Sequence, residues 1–343
     1  MESAIYLVSF AKAFFVSVVL TGIFVWVSKK INSKSKKSWR FCNAKGVSRL
    51  GGAAIIVAFL FSILSASNLF ISQRLWIIIA ASSFILLIGL WDDFRELSWK
   101  TQLLLQVILA VLVFTYGLRI EYITNLWSNK LILLNLNQIY YFLSFILTTA
   151  WILIMINSMN WLDGIDGLSG GVAFIASLVM FFLVLKPEVN QPSVGLITLS
   201  LAGSVLGFLI FNFHPSKILA GTSGSFFMGF ILASLAIFAG TKIATTLLVM
   251  AIPVFDFVWV ILERIRLKKS IFERDTSHLH YKLSKLGFSP GKIALPLYAV
   301  TISIGFVALN TRAMGKTVTI IAVCAILLLA YFLIQQKLTA EKK

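Results

Sequence analysis

The chain has 343 residues, of which 59% are hydrophobic and only 13% charged. Soluble domains are roughly 45–50% apolar and about 25% charged, so this composition, with a mean hydropathy of +0.93, describes an integral membrane protein. Its 30 Lys and Arg against 13 Asp and Glu give a net charge of +17. A charge at mid-bilayer costs about 2.5–3.5 kcal/mol or more, so that charge belongs in short loops, and nucleic-acid binding is a poor reading of the high pI. Two cysteines, Cys42 in a basic stretch and Cys324 in an apolar run, form neither a disulfide framework nor a thiol pair with metal spacing.

Crossing ~30 Å of hydrocarbon at about 1.5 Å per residue takes about 20 apolar residues. In chain order such runs occupy residues 4–28, 51–67, 75–91, 101–118, 139–156, 168–185, 194–213, 226–239, 243–262, 293–310 and 317–333. They predict an all-α polytopic membrane helix bundle of about 11 transmembrane helices, read as one domain over residues 1–343, without a repeat or a low-complexity linker. The run at 226–239 is short and the next begins directly after Gly240-Thr241-Lys242, so a single bent element is the alternative there. The first run is too long for a cleavable signal peptide, and its positive charge follows it, so it is expected to stay in the mature protein. The stretch 121–138, with its Asn and Leu alternation, is a longer outer loop with room for a small hairpin.

Basic residues in short loops favour the cytoplasmic side. With eleven spans, most of the 30 fall on one face, in loops near 29–50, 92–100, 214–225 and 263–292 and in the C-terminal tail. The bias predicts the N-terminus outside and the C-terminus in the cytoplasm. Merging the runs 226–239 and 243–262 would send the most basic of the later loops outside, which favours keeping them apart.

Acidic residues are few, and five polar segments share the predicted cytoplasmic face. Gly89-Leu90-Trp91-Asp92-Asp93 closes the third run. Its adjacent carboxylates repel, and on a helix they point about 100° apart, so one can face a metal or nucleophile while a second partner holds the other. A solvated helix end salted by Arg95 and Lys100 is the bland alternative. Asn157, Asn160 and Asp163 recur at i, i+3 and i+6, forming one polar ridge that must face something other than lipid, and Gly164, Asp166 and Gly167 follow in a tight turn. A ligand site outweighs interhelical glue at this position, given the cost of intramembrane ionisable groups.

Between the seventh and eighth runs, His214-Pro215-Ser216-Lys217 leads to Gly221-Thr222-Ser223-Gly224-Ser225, which reads weakly as an anion nest at a helix start and more readily as a plain loop. His278 and His280, at i and i+2, converge only on a turn or extended segment and are too few for a structural zinc site. In Lys45-Gly46-Val47-Ser48-Arg49-Leu50-Gly51-Gly52, basic residues beside a glycine pair suit a phosphate, or simply anchor the span. Asp256, inside the ninth run, should face protein or water, in structural pairing or in catalysis.

In this order the five segments resemble the polyprenyl-phosphate N-acetylhexosamine-1-phosphate transferases over about residues 45–287. The most specific part is Asn157-x-x-Asn160-x-x-Asp163-Gly-x-Asp166-Gly-Leu168, supported by Gly89-x-x-Asp92-Asp93 with Leu97 and Gln106, by Arg49-Leu-Gly-Gly52 and by His278-Leu-His280. The Arg49-Leu-Gly-Gly form and the eleven spans look more like the GlcNAc-type branch than like the peptidoglycan enzyme MraY. Four positions depart from the family pattern, one of them Thr276, which stands where an Arg is common after the loop aspartate. Thr222 stands where an acid implicated in magnesium binding is usual, Tyr281 ends the histidine motif, and Gln102 replaces a Lys.

The resemblance implies that the phosphate of a polyprenyl (undecaprenyl) phosphate attacks the sugar-linked phosphorus of a UDP-N-acetylhexosamine, with UDP-GlcNAc the expected donor. UMP would leave in a magnesium-dependent first membrane step of cell-wall, lipopolysaccharide or teichoic acid synthesis. It also implies a multi-pass protein of the bacterial plasma membrane with a cytoplasmic active site, no nucleic-acid partner, and a homodimer as one assembly. By the same resemblance Asp92, Asp93 and Asp163 are catalytic, Lys45, Asn157, Asp166, His278 and His280 bind substrate, and Asn160 binds the metal, with Thr222 in place of the usual acid. A secondary transporter is the competing reading, but it should place its acids near the bilayer midplane, often in inverted repeats. A catalytically impaired homologue is the other.

Overall fold

The computed structural model describes residues 2–34, 42, 46–124, 131–240, 242–270 and 277–340. Lys45 and the Arg274-Asp275-Thr276 stretch lie outside the described residues. The helices are α1 (Glu2–Lys34), α2 (Gly51–Leu64), α3 (Gln73–Arg95), α4 (Trp99–Thr115), α5 (Gln138–Leu162), α6 (Leu168–Val184) and α7 (Pro192–Asn212). They continue with α8 (Gly221–Phe238), α9 (Ile243–Val249), α10 (Ala251–Arg266), α11 (Leu279–Lys285), α12 (Pro290–Asn310) and α13 (Ala313–Ala340). In the loop after α4, β1 (Tyr122–Thr124) and β2 (Leu131–Leu133) pair antiparallel, Ile123 opposite Ile132, so the loop does hold a hairpin.

Each of the eleven apolar runs forms helix, but their lengths differ. Among the described residues seven helices are long and apolar enough to cross a membrane, or eight if α9 and α10 count as one bent span. The other three, α2, α4 and α6, have 14, 17 and 17 residues. At 1.5 Å per residue they reach about 21–26 Å, short of the ~30 Å hydrocarbon layer. The eighth and ninth runs are separate helices, α8 ending at Phe238 and α9 beginning at Ile243, and a further break lies inside the ninth run, where α9 and α10 meet at 80° around Met250. Pro253 sits in the first turn of α10, where its missing N–H has no intrahelical partner to lose.

The short eighth run is the centre of the bundle. Every residue of α8 from Ser223 to Ile237 is buried, as expected of a helix that is apolar all round. Phe227 and Phe230 are fully enclosed, Phe59 of α2 meets Phe227 edge-on at 5.2 Å, and Trp151 Nε1 of α5 donates to the Ala233 carbonyl at 3.1 Å. Hydrogen bonds from small hydroxyls join the flanking helices: Ser17 to the Ser204 carbonyl at 2.6 Å and Ser62 to the Ser9 carbonyl at 2.8 Å. Such bonds are worth about 0.6 kcal/mol on average within membranes. Lys12, the charge within the first apolar run, donates to the Ser65 carbonyl at 3.0 Å, at the C-terminal end of α2 where unsatisfied carbonyls and the helix dipole favour a cation.

Candidate active site

Gly89 decides where the acids of α3 lie. A Cβ there would fall 2.2 Å from Ser223 Cα, so α3 and α8 are in backbone contact, and the next turn of α3 delivers Asp92 and Asp93 to the N-terminus of α8. Asp93, 1% exposed, accepts from Thr222 N at 2.8 Å, Ser223 N at 3.3 Å and Ser223 Oγ at 3.1 Å. Gly221, in the left-handed region at φ 68°, starts α8 directly against this carboxylate, and a Cβ on it would sit 2.7 Å from both Asp93 oxygens.

The helix start, read more readily as a plain loop, is thus an anion nest, and it is occupied by Asp93, whose charge the free N–H groups and helix dipole stabilise. The glycine pair of α2 likewise serves the scaffold, with Gly51 N and Gly52 N donating to the Leu219 and Ala220 carbonyls at 3.0 and 2.8 Å. Nor are the acids near the end of α3 solvated: Asp92 is 6% exposed and accepts from Leu97 N and Gln102 Nε2, both at 2.8 Å, and from the Thr222 hydroxyl. Asp92 and Asp93 thus point apart, and Thr222 serves both, its N–H on Asp93 and its hydroxyl on Asp92.

The polar ridge of α5 faces these groups. Asn157 donates to Gln106 Oε1 at 2.6 Å, Asn160 Oδ1 accepts from Ser225 of α8 at 3.0 Å, and Asp163, which ends α5, accepts from Ser169 at 2.5 Å. Burial pushes the Asp163 carboxyl up to about 7. The Ser169 bond opposes this rise, and the neighbouring charges of Asp93 and Asp166 add to it. Asp92, Asp93, Asn157, Asn160 and Asp163 all line one cavity of about 680 Å³, together with Thr222 and His278. Arg49, bonded to Glu96 at 3.2 Å, and Arg264 supply positive charge to the same wall. The acids stand at the ends of α3 and α5 and not midway along a span, which separates the arrangement from the midplane site expected of a transporter.

Two of the expected substrate residues lie apart from the cavity lining. Asp166 accepts from Ser216 N at 3.1 Å and pairs with His214 Nδ1 at 2.8 Å; burial pushes its carboxyl up, but these bonds outweigh burial and hold it below the usual range. Its turn is fixed by Asn212, which accepts from Gly167 N at 3.0 Å and donates to the Ile218 carbonyl at 2.8 Å. His280 is 1% exposed, and its Nε2 approaches Gly164 so closely that a Cβ there would lie 2.3 Å away. Burial pushes its imidazole down to about 4. His278 does face the cavity, with Nδ1 held by Asp256 at 2.7 Å.

Ser169, with Trp161 and Arg264, forms part of the site yet carried no spacing signal in the sequence, and Ser223 and Ser225 stood there only in the weak anion-nest reading. Their roles exist only once α5, α6, α8 and α10 meet.

Among the described residues no three His, Cys, Asp or Glu side chains are grouped to hold a metal. The acids, amides and hydroxyl of the cavity nevertheless present hard oxygens, the set magnesium prefers, with the His278 imidazole beside them. Magnesium is commonly bound by only one or two protein oxygens plus substrate phosphates and water. The residues fit an ion that arrives with a nucleotide better than one caged by protein alone.

Glycosyl transferase family 4 matches residues 75–240. The chain is 28% identical over 321 residues to a probable undecaprenyl-phosphate N-acetylglucosaminyl 1-phosphate transferase of Bacillus subtilis (strain 168), covering 91% of this chain and 86% of that protein. It is 28% identical over 323 residues to the decaprenyl-phosphate N-acetylglucosaminephosphotransferase of Mycobacterium leprae (strain TN), covering 85% and 80% respectively. A phospho-N-acetylmuramoyl-pentapeptide-transferase of Petrotoga mobilis (strain DSM 10674 / SJ95) is 31% identical over 281 residues, covering 78% of this chain and 84% of that enzyme. With the acidic cavity built from the same stretch of sequence, these relationships show that the chain belongs to glycosyl transferase family 4.

Proposed function

We propose that the protein transfers an N-acetylhexosamine-1-phosphate, with GlcNAc the preferred sugar, from a UDP-sugar to a polyprenyl phosphate at the cytoplasmic face of a bacterial plasma membrane, releasing UMP. The observation that carries this reading is the convergence of Asp92, Asp93, Asn160 and Asp163 with Arg49 and His278 around one cavity at the ends of apolar helices. Two anions must meet in such a reaction. Arg49 and Arg264 offset their repulsion, and magnesium, when bound with Asn160 and a neighbouring carboxylate, would supply Lewis-acid stabilisation of charge on the phosphates.

The carboxylates have different work. Asp93 is committed to the N-terminus of α8 and fixes the cavity wall, and Asp92 orients the lipid phosphate from beside Thr222. Asp163, with a carboxyl near 7 and Ser169 as its hydroxyl partner, is suited to take the proton from a phosphate monoester, whose second ionisation lies near 6. The lipid phosphate oxygen then attacks the sugar-linked phosphorus and UMP departs towards the basic wall.

Purified protein incubated with undecaprenyl phosphate, magnesium and a panel of UDP-N-acetylhexosamines should release UMP, most rapidly with UDP-GlcNAc, and Asp93→Asn should abolish release. No UMP with any donor, or release unchanged in Asp93→Asn, refutes the reading.

A further inference from the structure

Asp256 is the buried acid that the transfer reaction leaves unused. It lies on α10, 4% exposed, and its two oxygens meet three partners, two at the start of α11 and one on α13. Oδ2 meets His278 Nδ1 at 2.7 Å. Oδ1 accepts from Leu279 N at 2.8 Å and from the Tyr331 hydroxyl on α13. The His278 ring is packed edge-on against Trp161 of α5 at 4.8 Å, so the imidazole is pinned both in its plane and across its face.

From these contacts we propose that Asp256 is a positioning residue for His278: it holds the proton on Nδ1 and thereby turns Nε2 towards the phosphates in the cavity, with Tyr331 locking the carboxylate from the last helix. The nitrogen that an imidazole offers to a ligand is set by the hydrogen bond its other nitrogen makes. Because Leu279 N–H and Tyr331 O–H already take one Asp256 oxygen, Nδ1–H is the group that the other oxygen must receive. The couple joins α10, α11 and α13 around one cavity-lining side chain, which gives the last helix, itself remote from the acids of α3 and α5, a part in holding the substrate. The catalytic consequence rests on the proposed transfer reaction; the tautomer does not.

The test is Asp256→Asn. Its single carboxamide oxygen is claimed by Leu279 N–H and Tyr331 O–H, so its NH₂ must face Nδ1 and drive the proton to Nε2. The chain has only three histidines, so ¹⁵N-histidine spectra of detergent-solubilised protein resolve them, and the His278 signal is assigned by its loss in His278→Ala. Nδ1-protonated His278 is expected in the wild type, with the proton on Nε2 in Asp256→Asn at near-unchanged melting temperature.

UMP release should fall about tenfold to a hundredfold in kcat/KM, the scale of losing a supporting partner of a functional histidine. In a His278→Ala background the same substitution should cost nothing further, whereas a merely structural Asp256 would impose its full loss in both backgrounds. Asp256→Glu, which keeps the charge, should recover part of the activity. Losses that multiply in the double variant overturn the proposal, as does an unchanged tautomer. If Asp256→Asn cannot be purified, a wild-type His278 carrying its proton on Nε2 alone refutes it. A wild type that releases no UMP fails the transfer reading while the spectra still decide the Asp256–His278 couple.

Discussion

Replacing Gly89 by alanine changes one atom far from any substrate, yet the geometry predicts a large catalytic defect. The new Cβ would lie 2.2 Å from Ser223 Cα, 2.5 Å from Ser223 Cβ and 2.6 Å from Ser223 N, whereas ordinary contact begins at 3.4 Å. The shortfall is about 1.2 Å against backbone, so no side-chain rotation relieves it and α3 must move away from α8. Overpacking of this kind costs about 1–3 kcal/mol. The displacement is passed one turn along α3 to Asp92 and Asp93, and the bonds Asp93 accepts from Thr222 N and Ser223 N, 2.8 and 3.3 Å long, cannot stretch by an ångström and survive. A misplacement of about 1 Å in a catalytic array costs on the order of a hundredfold in rate. Gly89→Ala should therefore melt several degrees lower in detergent and lose about a hundredfold in kcat/KM for UMP release, while Gly291→Ala, with no atom within 4 Å of its Cβ and an ordinary helical backbone, controls for composition. Wild-type activity in Gly89→Ala would refute the claim that α3–α8 contact sets the acid positions.

The raised Asp163 carboxyl predicts activity that rises with pH through about 7 as the base ionises; Asp163→Asn should remove that limb, and Ser169→Ala, which deletes a bond to the ionised form, should move it to higher pH. The same shift has a stability sign: the folded state holds this proton more tightly than the unfolded chain, so between pH 4 and 7 the group's contribution falls as pH rises, and Asp163→Asn should melt higher than wild type at pH 8. His280, pushed down to about 4, is neutral across this range, so His280→Gln should leave the midpoint near 7 where it is. Chelation with EDTA should abolish UMP release, and Asn160→Ala should raise the magnesium concentration for half-maximal rate about tenfold or more, read by titrating the metal back.

Composition and the period of apolar runs made the bundle legible, because hydrocarbon demands long apolar helices whatever their packing. What they could not give was depth. The run at 226–239 looked weakest because it is short, and it is short because α8 lies at the centre, surrounded by protein on all sides. The break at Met250 was equally hidden, since a bent pair and a straight span share one hydropathy profile. At the site, the ridge of Asn157, Asn160 and Asp163 was readable from spacing alone. That Asp93 fills the helix start at Gly221 was not, for the acid and the amides it binds are about 130 residues apart and meet only through the α3–α8 contact.

Two departures from the family pattern, Gln102 and Thr222, also meet in space, and both touch Asp92. The resemblance places a cation at the first position and an acid at the second, so the exchange of both leaves the charge beside Asp92 unchanged. Restoring the acid alone, in Thr222→Asp, sets a second carboxylate against one that is 6% exposed, and two such groups cannot both ionise without a cation. Thr222→Asp should therefore lower both melting temperature and UMP release, whereas Thr222→Asp with Gln102→Lys should regain both, because the ammonium compensates the added charge. The interaction between the two changes should be about 1–3 kcal/mol by double-mutant cycle, the range for residues that share a partner. Additive effects, or a single Thr222→Asp variant as stable and active as wild type, would mean that Asp92 is screened by groups other than these two, and the neutral pair would then carry no compensation.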